Sequence, residues 1–332
     1  MKKYLIEYKY DEKFHAGSKA RDDVKNIVEK NKFNTVYLEM PKNKLLKLIH
    51  VLKLNNILKD IENESIVLIQ WPLCGNKFIK PILRALKNKK CKLICLIHDI
   101  TSLRSDYSIA NEINILNKFD YIISHNNIMS KWLKNNGINS ELIELNVFDY
   151  LCNIKKEIKE FEGNENVVFA GNLSEKKSGF IYKLSELNIC FNLYGVNYIE
   201  NQSNNLIYFG KFNPNELPNK LQGKYGLIWD GEYIDNCGGI YGEYLKINNP
   251  HKLSLYIASG LPIICWENCA ISNFVKTHQI GFTIKSLKDL DNKIKVNEKN
   301  YNEMKKNIIN LKKDVSSGKY LSRAIENILS RL

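Results

Sequence analysis

Short apolar runs alternate along this chain with longer stretches in which apolar positions recur three and four residues apart. A first series of runs occupies residues 4–8, 35–39, 66–71, 92–97, 121–124 and 141–145, with helical patterns between most of them. Strands separated in this way predict βαβ units and a parallel sheet covered by helices. A second series begins at 167–170 and continues through 190–194, 206–209, 226–229 and 262–265. The expected fold class is α/β, with two doubly wound, Rossmann-like domains at residues 1–152 and 166–297. Residues 153–166, charged, poor in strand formers and containing Gly163, read as the linker. Residues 298–332 read as terminal helices of a kind that can pack back on the first domain. In such folds ligands bind outside the carboxyl ends of the strands, so a site is expected in a cleft where those ends of the two sheets face each other.

The sharpest local pattern is Trp229-Asp230-Gly231, then Asn248-Asn249-Pro250-His251-Lys252-Leu253-Ser254, closed by Gly260-Leu261-Pro262-Ile263-Ile264. It predicts a strand end, a loop and a short helix with Asn249 as N-cap and Pro250 at the first helical position, where a missing N–H is harmless. Gly260 supplies the stop, and residues 261–265 have the length and composition of a buried parallel strand. Helix starts attract phosphate, because unpaired N–H groups and the positive end of the dipole point outward there, and Lys252 adds a full charge in the first turn. A cationic helix start beside a parallel sheet points to a nucleotide diphosphate site.

Composition narrows the class. At 332 residues and 44% hydrophobic content, the chain can bury roughly three quarters of its unfolded surface. No apolar run reaches the ~18 residues of a membrane span, and Met1-Lys2-Lys3 leads straight into a strand pattern, so the cytoplasm is the expected compartment. The eight cysteines are expected to be reduced core thiols; Cys91 with Cys95 and Cys265 with Cys269 lack the Cys-x-x-Cys spacing of structural zinc. Lys plus Arg of 49 against Asp plus Glu of 36 gives +13 and favours an anionic partner. The basic residues are scattered and no recognition motif is present, so nucleic acid is not expected.

Several strand ends offer chemistry. The first strand is followed by His15-Ala16-Gly17-Ser18-Lys19, a small-residue loop leading into a helix; Gly17 permits close backbone approach, and Ser18 and Lys19 can donate to phosphate or sugar oxygens. It is neither a Walker loop nor a full Gly-x-Gly-x-x-Gly fingerprint. His98 and Asp99 leave the fourth strand where an α/β fold puts its chemistry, and Asp99 can accept a proton from a hydroxyl or simply cap the next segment. His125 stands similarly after the fifth strand. Gly171-Asn172, followed by Lys176 and Lys177, repeats the pattern in the second half, and Tyr194 ends a strand where its ring can stack on a base or pack in the core. The glycine-rich loop 230–242, holding Glu232 and Asp235, can wrap a sugar or be a plain connection. Asp289-Leu290-Asp291 matches the Asp-x-Asp of metal-dependent sugar transferases, but it lies in a polar helical stretch and follows no buried strand, so no metal is expected. Residues 42–61 form a basic amphipathic pattern, either a sheet-covering helix or one that rests on an anionic membrane surface.

Gln70-Trp71-Pro72, His98-Asp99 with Leu103-Arg104, 226–231, 237–242 with Tyr244-Leu245-Lys246, and 248–262 together resemble a bacterial glycosyltransferase family of GT-B architecture. That family includes glucosyltransferases that extend O-linked N-acetylglucosamine on streptococcal serine-rich adhesins, and galactofuranosyltransferases of surface-polysaccharide assembly. The resemblance implies a UDP-sugar donor held mainly by the second domain, with Lys252 on the diphosphate, Asn249 nearby and Tyr194 near the nucleoside. It implies that the loop around Gly17 and Ser18 closes on the donor from an acceptor-side first domain, and that the protein is a homo-oligomer. Gly171, Asn172, Lys176, Lys177, Asp230, Gly231, His251 and Ser254 complete the expected donor site. Where the family has an arginine after Gly171-Asn172, this chain has lysines, which lack the bidentate fork. The expected reaction is metal-independent transfer of glucose or galactofuranose to a hydroxyl of a glycan, glycoprotein or lipid-linked acceptor, the last at the inner face of the membrane. Asp99, with His98 beside it, is the expected base, and the helix start with Lys252 stabilises the leaving diphosphate. The alternative is a non-catalytic basic binding protein or a partner subunit that retains the GT-B fold.

Overall fold

Strands that are apolar on both faces need helices on both sides, and the chain meets that need twice. The computed structural model describes residues 1–8, 16–38, 58–73, 76–153, 166–200 and 203–332. It divides into two compact units: Met1–Lys13, Arg21–Asn146 and Leu321–Leu332 form unit 1, while Phe14–Ala20 and Val147–Tyr320 form unit 2.

The described elements of the first half run β1 (Lys3–Tyr8), α1 (Ala16–Lys30), β2 (Asn34–Leu38), β3 (Ile66–Trp71), α2 (Asn76–Asn88), β4 (Lys92–Ile97), α3 (Ile109–Leu116), β5 (Tyr121–Ser124), α4 (Asn127–Asn135) and β6 (Glu141–Glu144). The strands pair in parallel in the order β2-β1-β3-β4-β5-β6. Every residue of β3 is buried, as a central parallel strand requires. Side-chain caps set the helix starts: Ser108 accepts from the Asn111 N–H before α3, and Asn126 from the Met129 N–H before α4. The first turn of α1 clusters with unit 2 rather than with the sheet that precedes it.

The second half runs β7 (Val167–Asn172), α5 (Glu175–Ser178), β8 (Phe191–Val196), β9 (Leu206–Tyr208), β10 (Tyr225–Ile228), α6 (Gly239–Tyr244), α7 (His251–Ser259), β11 (Ile263–Trp266), α8 (Ser272–Thr277), β12 (Gly281–Ile284), α9 (Leu290–Asn297), α10 (Tyr301–Ser317) and α11 (Lys319–Leu329). Its strands, all parallel, lie in the order β12-β11-β10-β7-β8-β9. In each sheet the strand order reverses once, between β1 and β3 in unit 1 and between β7 and β10 in unit 2; such switch points are where doubly wound folds bind ligands. Trp229, Tyr194, Tyr225 and Tyr256 are among the large side chains fully buried in the core of unit 2.

Four details depart from the expectations. Gly281–Ile284 is a strand that no long apolar run announces. β7 and β8 continue to Asn172 and Val196, so Gly171 and Asn172 are paired strand residues opposite Gly195 and Val196 rather than loop. Pro250, with φ −68° and ψ 141°, is the N-cap of α7, and His251 is its first residue. Proline also disfavours the helical region for the residue before it, which moves the helix start past Asn249. Gly17 and Ser18 belong to the first turn of α1, not to a loop. Most of the amphipathic pattern at 42–61 and most of the 153–166 linker lie outside the described residues. Every described cysteine is a free thiol, and among the described residues no helix is long and apolar enough to cross a membrane.

Candidate active site

In unit 2 the switch point is built by α7. β7 and β10 pair at Val167 with Tyr225 and at Val168 with Gly226. Beyond that pairing the Tyr256 hydroxyl joins them, accepting from the Ala170 N–H at 2.9 Å and donating to the Leu227 carbonyl at 3.1 Å. The Tyr256 ring lies where a side chain at position 226 would stand, so Gly226 is what lets α7 sit this close to the strand. Burial pushes the Tyr256 phenol up, which keeps it a neutral donor.

Lys252, in the first turn of α7, runs past Gly171, whose missing Cβ would be 3.2 Å from Lys252 Cε. Its ammonium is 2.5 Å from Asp230 Oδ1, 3.4 Å from the Trp229 carbonyl and 4.8 Å from the Phe169 ring centroid. Only 11% of the Lys252 side chain and 10% of that of Asp230 is exposed. A pair this buried adds little net stability but fixes where the charge stands.

Around the same helix start three buried polar atoms have no partner: Asn248 Oδ1, His251 Nε2 and Ser254 Oγ. His251 and Ser254 are three apart and share one face of α7. His251 packs against Phe148 (centroids 5.9 Å apart) and Tyr150 (5.2 Å). Burial, then the nearby Lys19 charge, holds its pKa down to about 3, so the imidazole is neutral. Each unpartnered buried polar atom costs ~1–3 kcal/mol. Three of them together make this helix start a candidate place for the polar groups of a ligand.

The remaining expected donor residues divide. Gly231, at φ 106°, donates its N–H to the Lys177 carbonyl at 3.0 Å and accepts from the Phe180 N–H at 3.2 Å; a side chain there would strike Gly238, so its role is backbone crossing. Asn172 Oδ1 accepts from the Ser174 N–H and from Asn197 Nδ2, both at 3.0 Å. Asn249 is buried beside the helix start. Lys176 is exposed, and the Lys177 ammonium is 5.8 Å from the Tyr241 ring centroid. Lys19 is buried and engaged within the unit: its ammonium donates to the Leu151 carbonyl at 2.6 Å and lies 4.9 Å from the Tyr150 centroid. Tyr194 is a core residue. Its ring stacks on Phe209 at 4.9 Å and abuts Phe212, and its hydroxyl accepts from the Gln222 N–H, so the exposed ring face that base stacking needs is missing. Asp289 closes a capping box with Ser286, and Asp291 pairs with Lys295 one turn on, so this Asp-x-Asp serves helix starts.

Unit 1 has its own cluster at the β1/β3 switch point. His98, just past β4, is anchored by its N–H on the Trp71 carbonyl (2.7 Å), and its Nε2 is 2.6 Å from Gln70 Oε1. Gln70 Nε2 donates to Glu7 Oε2; Glu7 Oε1 accepts the Tyr8 N–H at 3.0 Å and lies 3.5 Å from Arg21. Burial raises the Glu7 pKa, opposed first by the Arg21 charge. Asp99 is ion-paired with Arg104. The loop that follows is held by Glu112, fully buried on α3, which accepts from Trp71 Nε1 (2.8 Å), Thr101 N–H (2.9 Å) and Ser102 N–H (2.7 Å). His125 is buried with Nε2 3.0 Å from the Ile97 carbonyl, and burial holds its pKa down to about 4. Glu7, Glu112 and Tyr256 were not among the expected site residues. A carboxylate inside a buried strand, or three and four residues before Ile115 and Leu116 on an apolar helix face, is the signal that picks out the first two.

Residues 2–147 match the Glucosyltransferase 3-like N-terminal domain, and residues 167–328 the Glucosyltransferase 3-like C-terminal domain. The beta-1,6-galactofuranosyltransferase WbbI of Escherichia coli (strain K12) is 30% identical over 328 residues, covering 96% of this chain and 95% of that protein. Glucosyltransferase 3 of Streptococcus parasanguinis is 24% identical over 272 residues, with 77% and 76% covered. Among solved structures, the lipopolysaccharide outer core galactosyltransferase WaaB in its apo form superposes with a TM-score of 0.68 at 12% identity over 100% of both chains. Anabaena Alr3699/HepE in complex with UDP and glucose does so with a TM-score of 0.64 at 14% identity, over 99% of this chain and 100% of that one. The chain belongs to the Glucosyltransferase 3-like family and is a glycosyltransferase of GT-B fold, with two Rossmann-like domains.

Proposed function

We propose that this enzyme moves glucose or galactofuranose from a UDP-sugar to a hydroxyl of a glycan, glycoprotein or lipid-linked acceptor, without a metal. The observation that carries the reading is the start of α7, where Asn248 Oδ1, His251 Nε2 and Ser254 Oγ lack partners beside the buried ammonium of Lys252. Transfer builds negative charge on the departing diphosphate, and backbone N–H groups at a helix start together with a fixed lysine are suited to receive it. Two structures of the same fold, HepE with UDP and glucose and an alpha-glucosyltransferase with UDP, support a uridine nucleotide. Family relatives named for glucosyl and galactofuranosyl transfer support the sugar class. On the acceptor side, His98 and Asp99 are the groups for the hydroxyl proton, with His98 preferred because Arg104 already holds Asp99.

A screen of UDP-sugars for hydrolysis or transfer, with and without a chelator, tests this. Turnover is expected with at least one of them and insensitive to chelation, and Lys252→Ala is expected to lower kcat/KM at least about tenfold, which is ~1.4 kcal/mol of barrier. Unchanged donor kinetics in that variant would contradict the assignment.

A further inference from the structure

Resting on the reading of unit 1 as the acceptor side, we propose that the hydroxyls of Thr101 and Ser102 form a specificity subsite for a neutral sugar hydroxyl of the acceptor, one that turns anions away. The two residues open a short 3₁₀ turn, Thr101–Leu103, just past the carboxyl end of β4, where a doubly wound fold puts function. Thr101 Oγ1 and Ser102 Oγ are both buried, and neither has a hydrogen-bond partner. A serine or threonine on such a turn ordinarily bonds back to a nearby backbone carbonyl. Ser105 does so, donating to the Thr101 carbonyl at 2.9 Å. Two neighbouring hydroxyls that leave this option unused carry an uncompensated desolvation cost, which a bound polar group removes.

The main chain beneath these hydroxyls is fixed, and the way it is fixed decides the ligand class. The N–H groups of Thr101 and Ser102 are the donors through which such a turn would take up an anion. Both are already spent on Glu112, whose Oε1 accepts the Thr101 N–H at 2.9 Å and whose Oε2 accepts the Ser102 N–H at 2.7 Å. Oε1 also accepts from Trp71 Nε1 at 2.8 Å, which ties the turn to the end of β3. Glu112 is fully buried behind the turn and its hydrogen-bond partners are all neutral N–H groups, so its charge opposes a phosphate or carboxylate ligand there. The flanking charged pair, Asp99 with Arg104, adds no net charge. What is left to recognise a ligand is two hydroxyls, each able to donate one hydrogen bond and accept others, the complement of a sugar hydroxyl. Thr101 and Ser102 keep part of their surface open, so turning either hydroxyl outward takes a change of χ1 rotamer while Glu112 holds the main chain.

The test is a titration of the full chain followed by saturation-transfer NMR with UDP present, using methyl α-glucopyranoside as the neutral probe and glucose 6-phosphate as the charged one. The wild type is expected to bind the glycoside, and to bind it more tightly than the phosphate. Thr101→Val combined with Ser102→Ala is expected to weaken glycoside binding at least about fivefold, ~1 kcal/mol. The melting temperature of the ligand-free double variant is expected to hold or rise, since only unpartnered hydroxyls are lost. The proposal is overturned by a wild type that does not bind the glycoside, by tighter binding of glucose 6-phosphate, or by glycoside binding that the double variant leaves unmoved. A lower melting temperature assigns the hydroxyls to the fold and overturns it too; where the double variant does not fold, the two single variants are read in the same way. A UDP-induced rise in the melting temperature of the wild type reads the donor assignment separately. Its absence together with the expected glycoside result would sink the donor assignment alone, and its presence with glycoside binding unmoved by the variants would sink the subsite alone.

Discussion

At the β1/β3 switch point Glu7, Gln70 and His98 answer one another's hydrogen bonds, whereas at the β7/β10 switch point Asn248 Oδ1, His251 Nε2 and Ser254 Oγ meet no partner in the protein. The three groups of the first set are thus closed on one another and the three of the second are open, although Thr101 Oγ1 and Ser102 Oγ beside the first set are also buried without a partner. A closed network fixes the orientation of its side chains and costs stability when broken. An open set is already paying the desolvation cost and regains it only when something binds. The difference teaches that removing a polar group should be expensive for folding in a closed set and cheap for folding, but expensive for ligand affinity, in an open one.

The largest effect is expected at Glu112. Glu112→Ala strands the Trp71 indole N–H and the Thr101 and Ser102 N–H groups, and is expected to lower unfolding free energy by about 3 kcal/mol in urea titration. The UDP response of unit 2 is expected to survive; a stable Glu112→Ala protein would break the comparison.

Acidification comes next. The pKa of His125 is near 6.5 unfolded and about 4 folded, so its neutral burial contributes fully above pH 6.5 and is lost as pH falls toward 4. Between pH 7 and 5 that is on the order of 2 kcal/mol. Melting curves across this range are expected to steepen below pH 6.5, and to do so less in His125→Gln. An equal slope in the two proteins would show that the ring is not held neutral. His251, with a folded pKa of about 3, loses stability in the same direction, and bound UDP is expected to alter only that part.

The smallest effect is the most discriminating. Ser254→Ala removes a buried hydroxyl that bonds to nothing, so the melting temperature of the ligand-free protein is expected to hold or rise slightly. UDP affinity by calorimetry is expected to weaken about fivefold, ~1 kcal/mol. Loss of stability without loss of affinity would show that the hydroxyl serves the fold.

Much of the architecture was legible in the sequence because strands buried on both faces leave nearly continuous apolar runs, as at Ile66–Trp71 and Lys92–Ile97. Gly281–Ile284 escaped, since four residues led by glycine give too little periodicity, and its place is fixed by pairing with Ile263–Trp266. The Asn249-Pro250-His251-Lys252 pattern gave the helix start to within one residue and brought Lys252 to a switch point. For Lys19 and Tyr194 a sequence shows which side chain opens a helix or ends a strand, not which neighbour engages it. The Leu151 carbonyl holds the first and the Phe209 ring covers the second. Glu7 and Gln70, spaced 63 residues apart, become partners only through the parallel register of β1 and β3.

Hydrogen–deuterium exchange of the full chain with and without UDP tests the central claim most directly. The start of α7 at residues 248–256 and the end of β7 at residues 169–173 are expected to gain protection, and Lys252→Ala to abolish the gain. Protection confined to unit 1, or none in either segment at saturating UDP, would contradict the account.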